Sequence, residues 1–281
     1  MNLSLGFSPC PNDTFIFNAL VHRKIETRGI TFDPQLHDVE TLNRKAALTE
    51  FDITKISFAA YPNVMNEYIL LTSGSALGHH CGPLLISKKT VSPESIPSKT
   101  LAIPGRHTTA NFLFDIFYPK QSGKQEMNFA QIEDAVLDEV TDLGIIIHEN
   151  RFTYEKRGLQ KVSDLGEQWE SLTGHPIPLG GIVIRRTLPS GLQILVNQLI
   201  RQSIEYAFAH VEETMDYVRS HAQEMDEHVM KQHIGLYVNN YSIELGETGK
   251  AALNCFFEHD PHKQDSKVPQ LPRFVQEVPA L

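Results

Sequence analysis

The sequence predicts an α/β protein of two lobes around a central cleft. Three observations predict it. Short apolar runs alternate with helical patterns through the first 185 residues, as in a mainly parallel sheet with helices on both faces. Composition then shifts at Lys88–Lys99 (KKTVSPESIPSK), which is polar with two prolines, and a second α/β series follows it. Finally, Pro178–Ile184 (PLGGIVI) reads as a strand returning to the first lobe. The large lobe is therefore expected over 1–88 and 187–281, and the small lobe over 89–186.

The elements follow in order. Leu3–Phe7 alternates as a strand, and a helix is expected near 14–22. Between them SPCPND forms a strand-to-helix turn, with proline restricting the backbone and Asn12 or Asp13 suited to cap the helix. Ile30–Leu36 precedes a helix near 38–48, and Phe51–Ile56 leads into a short helix from about Phe58. Tyr68–Leu71 and Pro83–Ser87 read as strands around the polar loop Thr72–Ser75. The second series runs strand Thr100–Ile103, helix Thr109–Tyr118 and strand Glu126–Phe129. It continues with a helix near 131–137, strand Leu143–Ile147 and a helix near 159–173. After Pro189, Leu192, Leu195, Val196 and Leu199 mark one helical face. Two or three further helices reach about Glu258, and a proline-rich tail along the surface ends the chain.

Bulk composition narrows the functions. With 281 residues the chain suits two lobes, and 41% hydrophobic with 21% charged residues is ordinary for a globular protein. A formal charge of −9 argues against a nucleic-acid surface. No segment approaches the roughly 18–20 uninterrupted apolar residues of a membrane span. The opening MNLSLGFSPCPND lacks the basic and apolar regions of a secretory leader. Three widely spaced cysteines suit free thiols in a reducing compartment, so a cytoplasmic protein is expected. An apolar helix face serves equally as core or as a homodimer interface.

Ligands of open α/β sheets gather where strands run into helix N-termini. Four such places carry chemistry here: Ser8–Thr14, Asp52–Ser57 (DITKIS), Pro104–Ala110 (PGRHTTA) and Leu143–His148 (LGIIIH). In the third, Gly105 permits a tight turn, Thr108 or Thr109 can cap, and the first amides of the helix face outward toward an anion. In the fourth, His148 ends an apolar strand. It is either a structural histidine or a proton acceptor at the cleft mouth. Cys10 could be a nucleophile but reads better as a passive small residue. His79, His80 and Cys81 are consecutive and converge poorly on a metal, while His221, His228 and His233 lie in polar helices and are expected to be solvated. There is no dinucleotide, Walker, G-x-S-x-G or H-E-x-x-H pattern.

Taken together, SPCPNDTF, DITKIS, GSALG…GPLLIS, PGRHTTA and LGIIIHENRFTY, in this order from about residue 3 to 257, resemble the 1,4-dihydroxy-6-naphthoate synthases of the futalosine route to menaquinone. The resemblance implies a type II periplasmic-binding-protein-like fold. It also implies conversion of cyclic dehypoxanthinyl futalosine to 1,4-dihydroxy-6-naphthoate with release of the sugar-derived fragment. By the same resemblance His148 matches the catalytic base, and Lys55, Ile56, Ser57, Thr108 and Thr109 match substrate-contacting segments. The implied enzyme is a carbon–carbon lyase that needs neither cofactor nor metal, acting on an anionic aromatic substrate. SPCPNDTF is then expected to be a rigid loop at the cleft rim opposite Thr108, shaping the pocket through Asn12 rather than doing chemistry.

The same residues also suit two other readings: a non-catalytic solute-binding protein for an aromatic carboxylate, and a related enzyme of the same route. The partner that orients His148 is not evident, since Glu149 beside it on a strand should face the opposite way.

Overall fold

In the computed structural model, described for residues 1–119, 121, 123–222, 226–261 and 274–275, two mixed sheets carry the fold. The chain opens with β1 (Asn2–Phe7), α1 (Pro11–Val21), β2 (Thr31–Leu36), α2 (Val39–Ala47) and β3 (Ile53–Ser57). A 3-10 turn and α3 (Tyr61–Val64) lead to β4 (Tyr68–Leu70) and β5 (Ala76–Gly78). Then come β6 (Leu84–Ser87), β7 (Leu101–Ile103), α4 (Thr109–Phe117), β8 (Lys124–Glu126), α5 (Ile132–Leu137) and β9 (Leu143–Ile146). The second half continues with β10 (Gln160–Asp164), α6 (Leu165–Thr173), β11 (Ile177–Arg185) and α7 (Ser190–Ala209). It closes with α8 (Val211–His221), α9 (Glu227–Tyr237), α10 (Asn240–Ile243) and α11 (Gly246–Glu258).

The first sheet runs β2-β1-β3-β11-β4, with β5 also pairing β11. The second runs β10-β6-β9-β7-β8. Strands β1, β2 and β3 are parallel, but the returning β11 is antiparallel to β3, β4 and β5, so the first sheet is mixed rather than mainly parallel. Membership also moves the crossings. Leu84–Ser87 pairs with β9 and β10, so the chain changes sheet within 79–83 rather than at 88–99. It returns within 174–176, ahead of β11, rather than near 186. The proline-rich 88–99 stretch instead joins β6 to β7 within the second sheet and holds a 3-10 segment, Pro93–Ser98.

Two further elements differ from the sequence reading. The helix expected near 159–173 starts only at Leu165, because Gln160–Asp164 pairs antiparallel with β6. Leu159, Val162 and Leu165 mimic a helical spacing across that edge strand. Asp164 then caps α6 by accepting from the amides of Gly166 and Glu167 at 2.9 and 3.1 Å. The strand expected at Glu126–Phe129 ends at Glu126, since Asn128 caps a 3-10 turn by accepting from Ala130 N at 3.0 Å.

On α7 the buried face is rotated from the leucine stripe. Of that stripe Val196 and Leu199 are buried, together with Ile200, Ile204 and Ala207, while Leu192 and Leu195 sit at the edge. Asn197 is buried there because its carbonyl accepts from the amides of Thr72 and Ser73 at 2.9 and 3.1 Å, which fixes the 72–75 loop. Helix α11 packs against α4 and α6, with the Phe256 ring 4.2 Å from that of Phe112 and 5.7 Å from Trp169. Most of the expected surface tail lies outside the described residues; of it, Phe274 bridges Leu70 and Val275 is buried.

Candidate functional site

The strand ends converge. A cleft opens where β1, β3 and β9 run into their following turns, opposite the N-terminus of α4. Asn12, Lys55, Ile56, Ser57, Thr108, Thr109 and His148, all seven residues singled out in the sequence, line it.

The first wall is SPCPNDTF. Pro11 opens α1 and Cys10 is the N-cap, with no side-chain cap bond; Asn12 and Asp13 lie inside the first turn rather than at the cap. Asp13 instead reaches back to Ser8, accepting from its amide at 3.1 Å and its hydroxyl at 2.7 Å. The loop is thus anchored by the carboxylate that the sequence offered only as a cap. The other oxygen of Asp13 accepts from Asn12 Nδ2 at 2.9 Å and lies 3.4 Å from Lys55 Nζ. Lys55, 5% exposed on β3, also donates to Gly74 O at 2.7 Å, in the loop that Asn197 holds. A buried ammonium needs such partners to stay charged.

Ser57 closes β3 and is held by Asn43 of α2. Ser57 N donates to Asn43 Oδ1 at 2.9 Å, and Asn43 Nδ2 donates to Ser57 Oγ at 3.2 Å and to His107 O at 3.3 Å. Asn43 therefore sets Ser57 and the PGRHTTA turn against each other. Beside it, Glu40 takes the amide of His107 at 3.1 Å and its Nδ1 at 2.7 Å, which raises the pKa of that imidazole. Gly105 makes this contact possible: its φ is +149°, and a Cβ there would lie 2.5 Å from the Glu40 carboxylate.

Thr108 is the cap of α4, accepting from Asn111 N at 3.3 Å while donating to Gly105 O at 2.8 Å. Thr109 donates its hydroxyl to Leu179 O at 2.7 Å. Both hydroxyl protons are thus committed inside the protein. What the helix start can offer the cleft is its first amides, those of Thr109 and Ala110, with the positive end of the helix behind them.

His148 does not end the strand. It follows Ile147 as the first residue of a 3-10 turn and has φ +59°, a left-handed conformation costing a non-glycine residue about 1 kcal/mol. That reversal turns the ring into the cleft, edge-on to Phe129 at 4.8 Å. Its Nε2 is buried with no hydrogen-bond partner among the described residues. Burial pushes its pKa down to about 4, against the opposing pull of Asp13 and Asp38, so the ring is neutral near pH 7.

Two expectations fail around this ring. Glu149 does not turn away, because the 3-10 turn breaks the strand alternation; it is buried, 4.0 Å from His233 Nδ1. Nor is His233 solvated: it is wholly buried, and its ring lies 6.1 Å from that of His148 at an interplanar angle of 28°. A signal for it existed, since Val229, Met230, His233, Ile234 and Tyr237 share the apolar face of α9. His228 is exposed, and His221 is partly exposed.

A sulfur, a nitrogen and an oxygen of Cys10, His148 and Glu149 come within 4.8 Å of one another. Burial and the charge of Glu149 push the Cys10 thiol well up, so it stays protonated. A protonated thiol is a weaker metal ligand and a weaker nucleophile than a thiolate.

The model of a menaquinone-biosynthesis family matches residues 3–260. The chain belongs to that family. It is 45% identical over 255 residues to the 1,4-dihydroxy-6-naphthoate synthase of Thermus thermophilus, covering 91% of this chain and 92% of that one. With the synthase of Streptomyces coelicolor it shares 41% over 256 residues, 89% and 90% of the two chains. A crystal structure of a protein from Archaeoglobus fulgidus superposes with a TM-score of 0.89 at 34% identity, covering 94% of this chain and 98% of that one. The alkanesulfonate-binding protein of Xanthomonas axonopodis superposes with a TM-score of 0.72 at 12% identity, covering 96% of each chain. The fold is therefore periplasmic-binding-protein-like, while the sequence relatives are biosynthetic enzymes. Among the described residues no helix is long and apolar enough to cross a membrane.

Proposed function

We propose that this protein converts cyclic dehypoxanthinyl futalosine to 1,4-dihydroxy-6-naphthoate, releasing the sugar-derived fragment, as a carbon–carbon lyase that uses no cofactor. The observation that carries the reading is one neutral imidazole, His148, lining a cleft whose other walls present an ammonium and a helix N-terminus. In this reading the aromatic carboxylate of the substrate takes the amides of Thr109 and Ala110. Ser57 Oγ and the N–H of Lys55 not directed at Gly74 or Asp13 contact the substrate from the other side. Ile56 and Leu179 supply apolar wall for its rings.

His148 then removes a proton beside a carbonyl, and the electron pair left on carbon starts the elimination that opens the sugar ring. Later bond cleavage gives the aromatic product, and aromatisation drives it. The protein need only bind, orient and move protons. The neutral state of His148 suits a base, and the free thiols Cys10, Cys81 and Cys255 suit the cytoplasm.

The purified protein incubated with cyclic dehypoxanthinyl futalosine should release 1,4-dihydroxy-6-naphthoate, detected by mass spectrometry. Tight binding without product would instead favour a solute-binding protein. Turnover only of an earlier intermediate would favour a related enzyme of the route.

A further inference from the structure

Behind the cleft wall sits a second histidine with no role in the scheme above. His233 is wholly buried on α9. Its Nε2 lies 2.9 Å from Asn12 Oδ1, its Nδ1 faces Glu149 at 4.0 Å, and its ring lies 4.5 Å from that of Tyr237. The ring of His148 is 6.1 Å away.

The hydrogen-bond chain fixes the tautomer. Asn12 presents one edge to the Asp13 carboxylate at 2.9 Å, and a carboxylate only accepts, so that edge is the amide nitrogen. The opposite edge is then the carbonyl, which needs a donor. The atom facing it is His233 Nε2, which must carry the proton. Reversing the Asn12 amide would set a carbonyl oxygen against a carboxylate and is excluded. The chain continues from Asp13 to Ser8 and to Lys55.

We infer that His233 is a positioning residue: as the Nε2–H tautomer it holds Asn12, and through Asn12 the Asp13–Lys55 pair, in the cleft wall that His148 faces. This rests on reading the cleft as the active site. Without the donor, the Asn12 carbonyl is left buried and unpaired, so the amide can rotate and withdraw its N–H from Asp13. Lys55 then loses the fixed counter-charge that aims its ammonium. Helix α9, which already brings Tyr237 to the cleft, thereby also supports its opposite wall from behind.

Two experiments test the inference on the full chain. Histidine-15N NMR of the wild type, with the signal assigned by its disappearance in His233→Gln, should show a neutral ring protonated on Nε2 between about pH 6 and 8. A proton on Nδ1, or a doubly protonated ring, overturns the inference whatever the protein's activity.

With cyclic dehypoxanthinyl futalosine as substrate, His233→Leu should lower kcat/KM by about 10- to 100-fold, and His233→Gln, whose amide can donate from a similar place, should stay within about threefold of wild type. A folded His233→Leu with wild-type kinetics, or a glutamine variant as impaired as the leucine one, overturns it. If His233→Leu does not fold, His233→Asn, whose amide falls short of Asn12, takes its place with the same expected loss. Failure of the wild type to turn over this substrate refutes the proposed function instead, and the tautomer then decides the inference alone.

Discussion

Acidification separates a buried neutral imidazole from an ordinary one. His148 has its pKa pushed from 6.5 down to about 4 by burial. At about pH 5 a base with the ordinary value would be some 97% protonated and turnover would fall about thirty-fold, whereas a base titrating near 4 keeps roughly nine-tenths of its activity. The assay is kcat/KM for dihydroxynaphthoate formation from about pH 4 to 8, with folding followed by circular dichroism. Folding must be followed because the same shift works against stability. Between about pH 4 and 6.5 the unfolded chain binds the proton that the folded site refuses, so stability rises with pH through that window and the loss is complete below it. The shift corresponds to about 3 kcal/mol at 1.36 kcal/mol per unit, a ceiling because the ring keeps some contact with the open cleft. An acid limb centred at pH 6 or above in folded protein would refute a desolvated His148 as the base.

Other outcomes follow from the packing around the cleft. Asn43→Ala leaves Ser57 and His107 O without their shared partner, and should lower stability by about 2–3 kcal/mol, read as a Tm drop of about 5 °C, while raising KM more than it lowers kcat. Gly105→Ala puts a Cβ 2.5 Å from the Glu40 carboxylate at a φ of +149°. It should cost about 2–4 kcal/mol in denaturant unfolding and weaken substrate binding by displacing the turn before α4. The Glu40–His107 pair, with the imidazole pKa raised, contributes below pH 6.5 and is lost as pH rises through the raised value. Accordingly, the Tm difference between wild type and His107→Phe should be larger at pH 6 than at pH 9; an unchanged difference would contradict that pairing.

The legible part of the site is the part written at strand ends. DITKIS, PGRHTTA and LGIIIH each show a strand running into a turn with side chains a cleft can use, and all their marked residues meet in one cavity. The partners that hold those residues were harder to read because they come from distant segments. Asn43 looks like an ordinary helix residue until Ser57 and His107 are brought beside it. His233 looked solvated because α9 also carries Glu227, His228 and Lys231, although its apolar neighbours mark the buried face. The misplacement of Glu149 has one local cause: strand alternation does not continue past Ile147, where His148 takes a left-handed φ and opens a 3-10 turn. The crossings moved because proline content marks breaks in regular structure but not which sheet the next strand joins, and Leu84–Ser87 is equally apolar in either.

In the proposed function His148 transfers the proton within a cleft that binds the substrate by other groups. Single-turnover formation of dihydroxynaphthoate by His148→Ala, at substrate concentrations saturating by calorimetry, tests it most directly. The expected result is a rate at least about a hundredfold below wild type with Kd changed by less than about threefold. A near-normal rate from the fully bound variant would contradict it.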